Sequence, residues 1–96
     1  MPKQPAVYIL ASQYNGTLYI GVSSNLPQRL YQHREGLVEG FSKKYGIKML
    51  VYFEMFEDRD EAIKREKQFK KWHRKWKLEL IESKNPFWKD LYKQIA

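Results

Sequence analysis

The chain begins with two short runs of β-forming residues, A-V-Y-I-L-A from Ala6 and T-L-Y-I-G-V from Thr17, separated by a polar break. That break, Gln13-Tyr14-Asn15-Gly16, ends in Asn-Gly, a strong hairpin turn signal, so the pattern predicts two antiparallel strands. In a hairpin closed by an even-numbered loop and free of bulges, paired residue numbers sum to an odd value. Tyr8 and Tyr19 then fall on one face of the sheet. K-M-L-V-Y-F-E-M-F, residues 48–56, is the most apolar run and predicts a central strand.

Between these strands, Ser23-Ser24-Asn25-Leu26-Pro27 joins capping residues to a proline, the combination that opens a helix. The helix is expected from about Leu26 to Arg34, ending before Gly36, with Leu26 and Leu30 as its buried stripe and Leu37 beyond its end. Arg29 and His33 stand one turn apart on the flank of that stripe. Residues 36–46 show no clear period and read as loop or short irregular helix. Asp58 or Asp60 caps a long basic helix over roughly 59–73. A second helical segment carries Trp76, Leu78, Leu80 and Ile81 and is interrupted at Asn85-Pro86. Phe87, Trp88, Leu91 and Ile95 form a last helical stripe. The order β-β-α-β-α-α-α implies a small α/β (α+β) domain, a three-stranded sheet with helices packed around it.

One position breaks the helical pattern. At roughly 100° per residue, Ala62, Ile63, Glu66, Phe69 and His73 share an arc of about 120°, so Glu66 points where apolar side chains are expected. An acid there costs folding energy unless something binds it. Its partner is either an Arg or Lys, such as Arg29 or a neighbouring lysine, giving a structural ion pair, or a divalent metal, giving a reaction centre.

Composition narrows the class. Ninety-six residues make one small domain, and the absence of cysteine excludes disulfides, thiolate zinc sites and a cysteine nucleophile. No run is long enough for a membrane span and no leader precedes the first strand, which predicts a cytoplasmic protein without a membrane partner. Eighteen Lys+Arg against eleven Asp+Glu, a net charge of +7, favour a polyanionic partner. Lys67, Lys70, Lys71, Arg74 and Lys75 are concentrated in one stretch with Trp72 and Trp76 among them, which suits phosphate neutralisation with indoles that pack or stack. The plainer reading of such a stretch is a solvated helix face.

Several strings taken together resemble a known family. Ala6-Val7-Tyr8 followed by Tyr19-Ile20-Gly21 is similar to the paired tripeptides of the GIY-YIG nuclease superfamily. S-N-L-P-Q-R-L-Y-Q-H, L-V-Y-F-E and A-I-K-R-E-K-Q-F-K-K-W extend the match. L-I-E-S-K-N-P-F-W-K-D-L resembles the tail of the small single-domain YhbQ-like or URI-type branch, so the likeness runs from about Pro5 to Leu91. It implies a three-stranded antiparallel sheet and a metal-dependent endonuclease that hydrolyses DNA phosphodiesters, with DNA repair or recombination as its setting. Tyr8 and Tyr19 match the motif tyrosines, Arg29 the helix arginine, His33 the position one turn later, and Glu66 the metal-binding glutamate. Ala6 and Val7 depart from the motif. Asn85 lies farther from Glu66 than the family's asparagine does and is a weaker candidate, as is Tyr45 for substrate contact. A protein partner for targeting and a non-catalytic nucleic-acid-binding module are the alternatives that the likeness leaves open.

The chemistry of these residue types agrees with hydrolysis. A hard carboxylate oxygen with water and phosphate completing the shell suits Mg²⁺ or Mn²⁺. Arg29 offers a guanidinium fork to the scissile phosphate. A phenol with a pKa near 10 makes a poor base unless neighbours favour its ionised form, and Tyr8 is the expected base with His33 as its proton acceptor, Tyr19 positioning water or phosphate. Read plainly, the tyrosines are core residues with the hydroxyl satisfied at the rim, and His33 is a simple donor near a helix end.

Overall fold

The computed structural model describes residues 4–38 and 40–95. Within them the elements run β1 Ala6–Ala11, β2 Leu18–Ser23, α1 Leu26–Arg34, α2 Phe41–Lys44, β3 Met49–Met55, α3 Arg59–Lys71, α4 Arg74–Lys84 and α5 Tyr92–Ile95. The sheet is antiparallel in the order β2-β1-β3. The predicted order therefore holds, with one short helix added in the aperiodic segment. No helix among the described residues is long and apolar enough to cross a membrane.

The most apolar run does not hold the centre of the sheet. β1 does, and all six of its residues are buried. β1 can be covered on both faces because it carries no charge, whereas β3 ends in Glu54 and the exposed Met55. The outer edge of β3 is closed by the C-terminal segment. Leu91 N donates to Leu50 O at 2.8 Å, Leu50 N to Asp90 Oδ1 at 3.2 Å, and Asn85 Nδ2 to Val51 O at 3.1 Å. A bulge separates the pairs Ile9↔Tyr52 and Leu10↔Leu50, leaving Val51 as the extra residue. Val51 and Tyr52 consequently enter the same apolar cluster instead of opposite ones.

In the hairpin, Tyr8 pairs with Gly21 and Leu10 with Tyr19, so the two tyrosines share a face as the parity argument expects. On that face Ala6, Tyr8 and Leu10 pack with Leu26 and Leu30 of α1, and Ile95 of α5 borders them. On the other face Val7, Ile9 and Ile20 pack with Phe69 of α3, Ile81 of α4 and Trp88.

Two helix boundaries differ from the pattern. α3 stops at Lys71, where Trp72 turns extended, and His73 becomes the residue before α4, exposed and off the arc that carries Phe69. Residues 87–91 are not helical, and Phe87 is 77% exposed. Trp88 instead takes φ of 55°, a left-handed conformation rare for a bulky residue, which turns its indole into the core. Its Nε1 donates to Glu82 Oε2 at 2.9 Å.

Asn85 organises this corner. Its amide is buried and donates to Val51 O and, at 2.8 Å, to Lys89 O, while its Oδ1 accepts from Lys89 N at 2.9 Å. Truncation would strand three backbone groups where water has little access. Asn85→Ala is expected to lower unfolding free energy by about 2–3 kcal/mol, read from urea denaturation.

Candidate active site

A cleft of about 460 Å³ runs along β2, the free edge of the sheet. Five consecutive β2 residues, Leu18 to Val22, line it, so it draws on both faces of the strand. Tyr8 and Arg29 enter from the α1 side, Glu66 and Lys70 from α3, Lys77 from α4 and Phe41 from α2.

Gly21 makes this convergence possible. A Cβ there would lie 2.5 Å from the hydroxyl oxygen and from Cζ of Tyr8, so the phenol occupies the space a side chain would fill. The glycine is needed for close approach across the β1–β2 pair. The Tyr8 ring lies 6.3 Å from that of Tyr19, and His33 stands edge-on to both, at 5.8 Å and 5.3 Å.

α1 presents its two candidate side chains, Arg29 and His33, because Asn25 sets its phase. Asn25 Oδ1 accepts from Gln28 N at 3.3 Å, Pro27 occupies the first turn, and Gly36 ends the segment with φ of 69°. Leu26, Leu30 and His33 then face inward and Arg29 sits half-buried on the flank. His33 Nε2 lies 3.0 Å from the Tyr8 hydroxyl and Nδ1 lies 3.1 Å from Ser42 Oγ. Both ring nitrogens are satisfied within a buried Tyr8–His33–Ser42 chain.

Burial, followed by the neighbouring Tyr19 phenol, pushes the Tyr8 hydroxyl well above its ordinary value; Arg29 opposes this and Glu66 adds to it. Burial, followed by the Arg29 charge, depresses His33 below 6.5. Tyr8 therefore rests as a neutral phenol and His33 as a neutral imidazole at pH 7.

Glu66 is not buried in the core. Its side chain is 20% exposed at the border of the α3 stripe, where it meets Lys70 Nζ at 3.4 Å. Among the described residues it is the one carboxylate lining the cleft, and no group of three or more His, Asp or Glu side chains gathers elsewhere. Its pairing with Lys70 is the ion-pair alternative posed by the sequence, yet both groups open onto the cleft, and a pair whose lysine is solvent-exposed is weak.

The basic segment divides by direction. Lys70 lines the cleft, and Lys67, Lys71 and Lys75 are exposed. Arg74 is engaged elsewhere: its Nη2 donates to Asn15 O at 2.8 Å and Gly16 O at 2.7 Å, clamping the hairpin turn. Arg65 also serves the fold, bonding Glu54 through Nε at 3.0 Å and lying over the Phe69 and Trp72 rings. Asn85 does not line the cleft, since its amide is spent on the C-terminal corner. Tyr45 is exposed and does not line the cleft; its ring packs against that of Phe41, which does, with centroids 4.8 Å apart. Lys77, Phe41 and Ser42 were not singled out from the sequence as site residues. The first lies past a helix break, and the other two lie in a segment without period.

Two changes probe this arrangement. Gly21→Ala is expected to displace the Tyr8 phenol and cost about 1–3 kcal/mol of stability, measured by thermal unfolding. His33 is held neutral in the fold but charges in the unfolded chain below about pH 6.5, so its contribution to stability is complete above that pH and is lost as pH falls towards its lower folded value. The wild-type unfolding free energy should therefore decline as pH falls below about 6.5, and His33→Gln should flatten that part of the profile.

Similarity to other proteins gives this geometry a lineage. The model of the GIY-YIG catalytic domain matches residues 4–79, a span that includes Tyr8, Tyr19, Arg29, His33 and Glu66 and stops short of Asn85. The UPF0213 protein CPE1444 of Clostridium perfringens is 42% identical over 79 residues, covering 82% of this chain and 84% of that protein. The UPF0213 protein SSP2268 of Staphylococcus saprophyticus is 36% identical over 75 residues, covering 78% and 90% respectively. The solution NMR structure of the UPF0213 protein BH0048 from Bacillus halodurans matches with a TM-score of 0.58 at 26% identity, over 94% of this chain and 95% of that one. With its hairpin tyrosines and helix-borne glutamate set around one cleft, the chain belongs to the GIY-YIG catalytic-domain family, and within it resembles the small UPF0213 proteins.

Proposed function

We propose that this protein is a divalent-metal-dependent endonuclease that hydrolyses phosphodiester bonds of nucleic acid, DNA foremost. The observation that carries the reading is the convergence of Tyr8, Tyr19, Arg29 and Glu66 on one cleft, with His33 hydrogen-bonded behind Tyr8. These are the residues that the family resemblance and the chemistry of hydrolysis single out.

Arg29 has no hydrogen-bond or ion-pair partner among the described residues, and its guanidinium fork is available to the scissile phosphate. Tyr8 does not act as a standing phenolate, because its hydroxyl is held well above the ordinary range. A relay fits better: the attacking water gives a proton to the Tyr8 oxygen as the Tyr8 proton passes to His33 Nε2. This requires Nε2 to be unprotonated at rest, with Nδ1–H donating to Ser42 Oγ. Burial depresses His33 most and the Arg29 charge adds to it; an anionic phosphate beside Arg29 would offset that second part and favour the proton on His33. Tyr19 borders Tyr8 and His33 and positions the water or a phosphate oxygen.

The donor set suits Mg²⁺ or Mn²⁺: among the described residues a single partly exposed carboxylate lines the wide cleft, which would leave most coordination positions to water and phosphate oxygens. Bound at Glu66, such an ion would neutralise charge developing on the leaving oxygen. Lys70 and Lys77 line the same cleft and would add positive charge beside the phosphate. Repair or recombination is the setting we infer from the family resemblance.

Glu66→Ala tests the reading against a non-catalytic nucleic-acid-binding module. With labelled DNA and Mg²⁺ or Mn²⁺, wild type should give products that EDTA abolishes. The variant should lose at least about 100-fold in cleavage rate. Its stability should change by less than about 1 kcal/mol, because only a partly exposed ion pair, screened by solvent on its Lys70 side, is lost. Metal-dependent cleavage retained by the variant would overturn the role of Glu66, and salt-sensitive binding by wild type without products would favour the binding module.

A further inference from the structure

Beside the cleft lies a second, smaller hollow of about 190 Å³ at the junction of β2, α1 and the start of α3. Val22 and Arg29 line both spaces, so the hollow continues the cleft past the end of β2. Its lining joins Arg29 and Arg59 to the hydroxyl and amide groups of Ser24, Gln28 and Gln32 and includes no carboxylate. Asn25 Nδ2 donates to Gln28 Oε1 at 3.4 Å, which leaves the Gln28 amide nitrogen with its own donors to offer.

Arg59 is the anomaly. It is the first residue of α3, where the partial positive charge of the helix end disfavours a cation. Among the described residues it has no hydrogen bond or ion pair to offset that cost, although Asp58 and Asp60 stand on either side in sequence; Asp58 Oδ1 instead accepts from Asp60 N at 2.8 Å. Asp58, Asp60 and Glu61 balance the charge of the helix end, but among the described residues none engages the Arg59 guanidinium, which is left available to a ligand from outside the fold.

We propose that this hollow is a second phosphate subsite: it holds the phosphate next to the scissile one along the nucleic-acid strand, with Arg59 as its principal ligand. The inference rests on the nuclease reading and deepens it. Arg29, shared by the two spaces, bridges the scissile phosphate and its neighbour, while Arg59 engages the neighbour alone. Guanidinium, hydroxyl and amide donors without an acceptor carboxylate match a phosphodiester anion, and continuity with the cleft matches a ligand tethered to the substrate. Because these contacts go to the backbone and not to base edges, the subsite fixes register without reading sequence. It also sets a minimum substrate: a strand that extends at least one phosphate beyond the cut on this side.

Binding of single-stranded and duplex DNA oligonucleotides to wild type, Arg59→Gln and Arg59→Lys, measured across a salt series, tests the proposal. Arg59 is exposed, so neither variant threatens the fold. Arg59→Gln should weaken binding roughly tenfold at low salt. It should also reduce the slope of log affinity against log salt by about 0.7–0.9, the release expected for one phosphate contact, with Arg59→Lys recovering the slope. Neutral methylphosphonates placed singly along the strand should identify one position that weakens wild type as much as Arg59→Gln does, and that adds nothing in the variant. Wild-type binding with unchanged affinity and slope in Arg59→Gln overturns the subsite and leaves the nuclease reading standing. Wild type that binds no oligonucleotide overturns both.

Discussion

The close approach of the Tyr8 phenol to the backbone of Gly21 is the contact on which the site depends. A strand side chain ordinarily stands above its cross-strand partner's own side chain. Here the partner has none, and the phenol lies in the vacated space, directed towards the free edge of the sheet. The hydroxyl of a fully buried residue thereby meets both the imidazole beneath it and the cleft in front of it. Any side chain at position 21 would close the gap between the two faces of β2 and separate the groups of α1 from those of α3.

That geometry also explains the electrostatics. Burial raises Tyr8 and lowers His33, so both are neutral at rest and no standing charge has to be stabilised inside the fold. The charges lie at the mouth, where Arg29, Glu66, Lys70 and Lys77 are exposed enough to be solvated without substrate. A neutral, buried Tyr8–His33–Ser42 chain thus meets a charged, solvent-facing rim at the Tyr8 oxygen. Glu66 fits this division. It stands at the border of its helix's apolar stripe, so it reaches the cleft without the full desolvation that a core carboxylate would suffer.

The net charge of +7 is divided by the fold into distinct uses. Arg65 braces β3 through Glu54, Arg74 clamps the hairpin turn, and the lysines that remain on α3 and α4 are solvated or line the cleft. A basic run in a sequence is therefore not one surface. A change of direction at Trp72 and His73 splits it between two helices, so Lys70 and Lys77 converge while Arg74, between them, turns to the opposite task.

Local pattern by itself determined the hairpin and its parity, the approximate span of the first helix, a cap at Asp58 or Asp60, the grouping of Tyr8 with Tyr19 and of Arg29 with His33, and Glu66 as an oddity on its arc. These follow from periodicity and capping, which act over a few residues. Tertiary structure alone decided what depends on distant partners. The most apolar run became an edge strand because the C-terminal segment covers it, and Asn85 became a brace because its amide meets Val51 and Lys89. Ser42 and Phe41 joined the site from a segment whose pattern carries no period, and Trp88 entered the core through a backbone conformation that no propensity favours. Packing across the chain sets such positions, and a local pattern holds no record of which surface it will meet.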